Sequence, residues 1–293
     1  MPHHSISAAG ATARIKAQGA ELCSFITPAG TELLWQAHPA WPQHAPNLFP
    51  IVGTLRDNRY RHNGRSYELF RHGFARHAPF EWTARTPTTA RLVLTDSPAT
   101  RAVYPFAFRL EIAYAIAGNG LTITFTLQNT GAEPLPASMG AHPAFNWPLR
   151  PGIAKEAHRL TFAAEETAPI RRVRPDGLLR PESLPTPIAG HILALHDGLF
   201  AEDALILDPV ASTALRYGAP GTETVAFAWG GFPQLGIWTR PGMDLLCLEP
   251  WHGVSDPVDY DGDISGKPGM MILPPGTART AWHRIQVLAP DGV

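Results

Sequence analysis

The chain has 293 residues, 44% of them hydrophobic, with a formal net charge of −1. Charged residues make up only 17%, below the quarter or so usual for soluble domains. With no basic run and a near-zero charge, nucleic acid is excluded as a partner, and no stretch approaches the apolar length of a membrane span.

Thirty prolines are scattered along the chain. That spread breaks helices and suits short strands joined by ordered loops. The two cysteines, Cys23 and Cys247, cannot staple a chain of this size and lack metal-type pair spacing. A reducing, cytoplasmic compartment is the simplest expectation. Met1–Ser5 has no basic segment followed by an apolar one, so no signal peptide is expected.

In chain order, Ala11–Gln18, Glu21–Thr27 and Thr31–Gln36 read as a three-strand meander, with turns at Gly19-Ala20 and Pro28-Ala29-Gly30. Residues 37–47 form a Pro/His/Trp loop long enough to carry function. Asn63-Gly64 predicts a hairpin pairing Arg59–His62 with Arg65–Phe70. That hairpin delivers His72-Gly73-Phe74-Ala75-Arg76. Strands follow at Phe80–Thr86 and Thr89–Thr95, then a helical turn over Ser97–Val103. Strict alternation over Phe108–Ala117 and Leu121–Gln128 around Asn119-Gly120 predicts a second hairpin. Ala137–His142 reads as one strand. Residues 149–200 carry little periodicity. Strands resume at Ala204–Leu207, Ser212–Tyr217, Thr222–Trp229, Gln234–Thr239, Leu245–Glu249, Gly269–Leu273 and Thr277–Leu288. No linker or repeat interrupts the series. The expectation is one mostly antiparallel β domain spanning residues 1–293, a sandwich.

Chemistry-bearing residues stand at strand ends. In Ser138–His142, alternation puts Ser138, Gly140 and His142 on one face, and the two small residues leave room there for a ligand. Taken singly, such a histidine is more often a core residue bonded to a backbone carbonyl. Glu249 ends an apolar strand before Pro250-Trp251, where partial desolvation raises a carboxyl toward general-base range. It reads equally as a rim carboxylate paired with arginine. His72 and Arg76 suit recognition of hydroxyls or an anion, or form a polar loop. Asp203 opens a strand and either binds hydroxyls or terminates it. His-x-His pairs, nucleotide-binding glycine loops and the Gly-x-Ser-x-Gly elbow are absent.

Their joint order is more specific than any member. Phe49-Pro50-Ile51-Val52-Gly53, the Asn-Gly hairpin, His72–Arg76, Gly140-Ala141-His142-Pro143-Ala144-Phe145, Asp203-Ala204 and Cys247-Leu248-Glu249-Pro250-Trp251 resemble the aldose 1-epimerase (galactose mutarotase-like) family. The resemblance is closest to its LacX-type branch and runs from about residue 10 to 288. It implies a β-supersandwich with an open cleft, no cofactor and no metal, acting on a sugar as monomer or homodimer. His142 matches the family's general acid, Glu249 its general base, His72 a ring-polarising histidine and Asp203 a hydroxyl-binding aspartate. Many relatives carry Arg after the glycine matched by Gly53. Here it is Thr54, with Arg56 or Arg76 as substitutes. A hexose 6-phosphate substrate would require Arg76 with Arg56 or Arg71 as a phosphate clamp. Two other classes stay open: a non-catalytic carbohydrate-binding module, and a glycosidase using Asp203 and Glu249. His142 and Glu249 are expected to face each other a sugar's width apart.

Overall fold

A computed structural model describes residues 3–290. Met1 and Pro2, within the stretch read above for a signal peptide, lie outside the described residues. So do residues 291–293.

The alternating hairpin around Asn119 forms the centre of a nine-stranded sheet. Phe108–Ala117 and Gly120–Asn129 pair in register from Ala117↔Gly120 to Phe108↔Asn129. Ala278–Leu288 adds on the far side of Gly120–Asn129. Outward on one flank come Thr224–Gly230, Ala214–Gly218, Arg159–Phe162 and Ile192–Ala194; Thr89–Thr95 and Glu81–Arg85 close the other. Every pairing in it is antiparallel. The inward residues Leu110, Ile112, Tyr114, Leu121, Ile123, Phe125 and Ile285 are essentially solvent-free, because period-two patterning puts one face of the sheet against the core.

A second sheet contains Leu205–Leu207, Gln234–Trp238, Leu245–His252, Met139–Ala141 and Asn47–Leu48 in that order, with Ala144–Asn146 also pairing Leu245–His252. Its strand Leu245–His252 is buried almost throughout, so it reads as a continuous apolar run rather than an alternating one. Three strands, His3–Ala8, Ala11–Lys16 and Leu22–Ile26, form a third sheet. The architecture is the mostly antiparallel β-supersandwich anticipated from the motifs. No helix among the described residues is long and apolar enough to cross a membrane.

Both hairpins form, although the second strand of the first ends at Glu68 rather than Phe70, and the second turns at Gly118-Asn119 rather than Asn119-Gly120, because Gly118 takes the positive φ and Gly120 pairs Ala117. The helical turn forms as Pro98–Val103, capped by Ser97 through a reciprocal bond with Thr100. Three further expectations are corrected. Thr31–Gln36 is not a strand: it makes only isolated bridges from Glu32 and Leu34, because the Glu32 carboxylate takes the Phe25 and Leu34 N–H groups. Ala137–His142 is two short strands in different sheets. Leu135–Ala137 pairs Met271–Leu273 and Met139–Ala141 pairs Leu245–His252, the chain changing sheets at Ser138. Leu245–Glu249 continues through Pro250 to His252. The strand His3–Ala8 was not anticipated; its burial is irregular and gives no clear period.

Candidate active site

The sheet switch at Ser138 carries the chain directly into His142. The His142 amide donates to Pro46 O at 3.1 Å, and its ring is held among aromatics. Trp41 lies 5.6 Å away between ring centroids, Trp238 6.0 Å and His72 5.8 Å. Glu249 enters from the adjoining strand, 2% exposed. His142 Nε2 stands 3.1 Å from Glu249 Oε2. The approach is off the line of the ring N–H, and neither Glu249 Oε2 nor His142 Nδ1 has a hydrogen-bond partner among the described residues.

Burial acts on this pair in opposite senses. It pushes the His142 imidazole down to about 3, helped by Arg71 and Arg76. It pushes the Glu249 carboxyl well above the usual range, with Asp203 adding to the rise and Arg71 opposing it. Between those two ionisations the pair holds one proton in common.

His72 adopts φ +65° and Asp203 φ +67°, a region that costs a non-glycine residue energy and is concentrated at functional positions. The Gly53 N–H donates to His72 Nδ1 at 3.1 Å, and the His72 N–H returns to Gly53 O at 2.8 Å. Arg71 Nε in turn donates to His72 Nε2 at 3.3 Å, so donors face both ring nitrogens. Burial, then Arg71, His142 and Arg76, hold His72 well below its ordinary pKa, so the ring stays neutral. Asp203 is anchored by its own Oδ1 accepting from Ala204 N at 2.7 Å, and by Arg172 donating to its carbonyl.

His72, Arg76, His142, Asp203 and Glu249 line one pocket of about 210 Å³ together with Trp41, Trp238, Trp251, Arg71 and Ser255. Five of the six residues singled out in the sequence therefore converge. Arg56 does not. Its amide donates to Asp256 Oδ2 at 2.9 Å, and its side chain lines a neighbouring cleft with Arg59, Arg61 and Tyr260. The short helical turn at Arg56–Asn58, with left-handed Asp57, directs it there.

The space expected over Gly140 is filled by Trp251. A Cβ at Gly140 would stand 2.6 Å from Trp251 Cδ1, and one at Gly236 about as close to the other edge of the same indole. The two glycines thus admit the ring that floors the pocket. The sequence signalled Trp41 only through its functional-looking loop, and signalled Trp251 only as a neighbour of Glu249. Ser255 left no signal. Its Oγ accepts from Thr54 N at 3.0 Å and so fixes the Gly53–Thr54 turn.

Gly53 has φ +74°, and a Cβ there would overlap Ser255 Oγ. Gly53→Ala is expected to destabilise the chain by about 1–3 kcal/mol and to misplace His72; chemical denaturation with parallel sugar titration checks both effects.

The sequence model of the Aldose 1-epimerase family matches residues 2–284. This chain belongs to the aldose 1-epimerase family. Protein LacX (chromosomal) of Lactococcus lactis subsp. lactis is 31% identical, over 92% of this chain and 95% of that one. Among solved structures, the galactose mutarotase related enzyme from Lactobacillus acidophilus superposes with a TM-score of 0.90 at 32% identity, covering 100% of this chain and 99% of that one. A galactose mutarotase-like protein from Lactobacillus casei also reaches 0.90, at 24% identity over 98% and 100% of the two chains. The family is one of carbohydrate isomerases, and the fold is that of the galactose mutarotase-like structures.

Proposed function

We propose that the chain is an aldose 1-epimerase that interconverts the α and β anomers of an aldose, with Glu249 as base and His142 as acid. The observation that carries this is their contact at 3.1 Å inside a sugar-sized pocket. A sugar's-width separation is replaced by adjacency, and the chemistry explains why adjacency suits the reaction. The two oxygens that exchange protons, the C1 hydroxyl and the ring oxygen, are bonded to the same carbon. An acid and a base serving them work side by side.

In the forward step Glu249 takes the proton of the C1 hydroxyl as His142 imidazolium gives one to the ring oxygen. The C1–ring-oxygen bond breaks and C1 becomes an aldehyde. Rotation about C1–C2 and closure with the roles reversed yields the other anomer and restores both groups. The proton held in common by the pair means the reactive form, carboxylate with imidazolium, carries the same number of protons as the resting one. His72 and the Arg71 bonded to it hold the sugar at the pair, Asp203 accepts from hydroxyls, and Trp41, Trp238 and Trp251 supply apolar ring faces. Anomer exchange by NMR across a panel of aldoses tests the reading. Exchange no faster than the buffer blank for every sugar would sink it.

A second reading concerns the substrate's charge. Arg71 and Arg76 line the same pocket, and neither has a carboxylate partner among the described residues. They lie close enough that Arg71 helps lower Arg76, after burial, and Arg76 Nη2 donates to Arg71 O at 2.9 Å. Two guanidinium groups held together without a counter-ion favour an aldose carrying an anion such as a phosphate ester. Arg76→Gln is then expected to cut kcat/KM for aldose 6-phosphates about 10–100-fold more than for the neutral sugars, as loss of a charge-assisted pair of about 1.5–3 kcal/mol implies. Equal losses on both substrates would count against it.

A further inference from the structure

Mutarotation leaves one donor beside the acid–base pair without a task. Cys247 precedes Glu249 by two residues on the same strand, so the two side chains emerge on one face. A His142 ring nitrogen, Cys247 Sγ and a Glu249 carboxylate oxygen all lie within 4.8 Å of one another, and all three residues are buried. Cys247 is a free thiol, packed behind the pocket with Ala144, Leu245, Trp41 and Trp238. Glu249 Oε2 is buried without a hydrogen-bond partner, which leaves lone-pair capacity inside the cluster.

We propose that His142, Cys247 and Glu249 form an inhibitory site for a thiophilic divalent cation of the Zn²⁺ or Cd²⁺ class. One thiolate, one imidazole and one carboxylate are three protein ligands of the kind zinc takes in tetrahedral sites that keep a fourth position open. That position faces the pocket, because His142 and Glu249 line it while Cys247 lies behind. Tetrahedral bonds of about 2.0–2.3 Å set ligand atoms roughly 3.5 Å apart. The His142–Glu249 contact at 3.1 Å already meets that spacing, so only the thiol has to draw inward, by roughly an ångström. Thiolate and carboxylate together cancel the cation's charge, which keeps the cluster neutral beside Arg71 and Arg76.

Binding releases two protons to solvent: the Cys247 thiol proton and the one held in common by His142 and Glu249. The same coordination occupies the base and the acid of the proposed reaction, so metal binding and sugar turnover exclude each other.

Cobalt(II) is the probe, since a cobalt–thiolate bond gives a charge-transfer band in the near ultraviolet. Wild type and Cys23→Ser are expected to show the band, Cys247→Ser to lack it, and Zn²⁺ to displace it. Zn²⁺ is expected to inhibit mutarotation of wild type at least 10-fold more potently than that of Cys247→Ser. A band that survives in Cys247→Ser, or equal Zn²⁺ sensitivity of the two proteins, overturns the proposal. Should Cys247→Ser not fold, wild type decides alone: saturating sugar suppresses the band if the site is the catalytic pair, and a band indifferent to sugar refutes it. The spectrum needs no turnover. A cobalt band that depends on Cys247 in a chain without mutarotase activity would retire the proposed function and leave the metal site standing.

Discussion

Glu249→Gln is expected to lower kcat for anomer interconversion by about 10²–10⁴-fold, the usual contribution of one acid–base group, while the fold survives. Glutamine keeps the shape of the side chain in a position where Glu249 is 2% exposed, and it removes only the ability to take the C1 hydroxyl proton. His142→Asn is expected to cost a comparable factor. The double variant should lose little more than either single one, because the two groups act on one proton inventory. Polarimetry on purified proteins, with circular dichroism as the control for folding, measures all three. A near-wild-type rate in Glu249→Gln would remove the base from the assignment.

The pH profile follows from the same pair. Activity requires a single proton on His142 and Glu249 together. Burial places the loss of that proton well above the ordinary carboxyl range and the gain of a second near pH 3. The expected kcat/KM profile is bell-shaped: it falls on the alkaline side as the common proton leaves, and on the acid side toward pH 3.

His283 controls the second large effect, on stability. It sits in the strand Ala278–Leu288, opposite Ile123 on one side and Trp229 on the other. Phe125 and Phe227 lie 5.9 and 5.6 Å from it, centroid to centroid. Burial alone drives its pKa down to about 3, and its Nδ1 has no partner among the described residues. Below the ordinary imidazole pKa of 6.5 the unfolded chain binds a proton that the folded chain refuses. Stability is therefore lost as pH falls from 6.5 toward 3, and the loss levels off below that. The full effect is on the order of 5 kcal/mol.

In the acid–base pair, the raised Glu249 carboxyl opposes the slope that the lowered His142 would add. His72, buried and held well below its ordinary pKa, adds a slope of the same sign as His283. Glu21, held at about 2 against burial by His44 and Lys16, adds acid sensitivity only below 4.5, where the unfolded carboxyl begins to protonate. His283→Phe is thus expected to reduce the dependence of the urea midpoint on pH between 6.5 and 4.5, leaving the part due to His72. An unchanged slope in that window would show that His283 contributes nothing to it.

Local chemistry makes much of this protein legible in its sequence. Asn63-Gly64 turns with positive φ at both positions, as its hairpin requires; the second hairpin also forms, but it turns one residue earlier, at Gly118-Asn119 with positive φ at Gly118. The capping pattern at Ser97 marks the one short α-helix among the described residues. Where a side chain captures nearby backbone or a turn redirects it, pattern reading fails. Thr31–Gln36 has strand composition, yet Glu32 turns its carboxylate onto the backbone that would have paired. Arg56 and Arg76 are equivalent candidates in the sequence, and only the turn at Arg56–Asn58 sends one to a different cleft.

The aldose 1-epimerase motifs, with their order along 293 residues, identify the pair that the fold brings together. What the motifs do not contain is the distance. A histidine before one short strand and a glutamate inside another are 107 positions apart (249 − 142), and their separation depends on strand pairing between Ala144–Asn146 and Leu245–Cys247. That register puts the two groups in contact rather than across a cleft, seats Cys247 behind them, and lets Gly140 and Gly236 admit the Trp251 ring. Residue identity supplies the imidazole, the carboxyl and the thiol. Whether they share a proton, or a metal ion, is set by antiparallel register and by the loss of water around them.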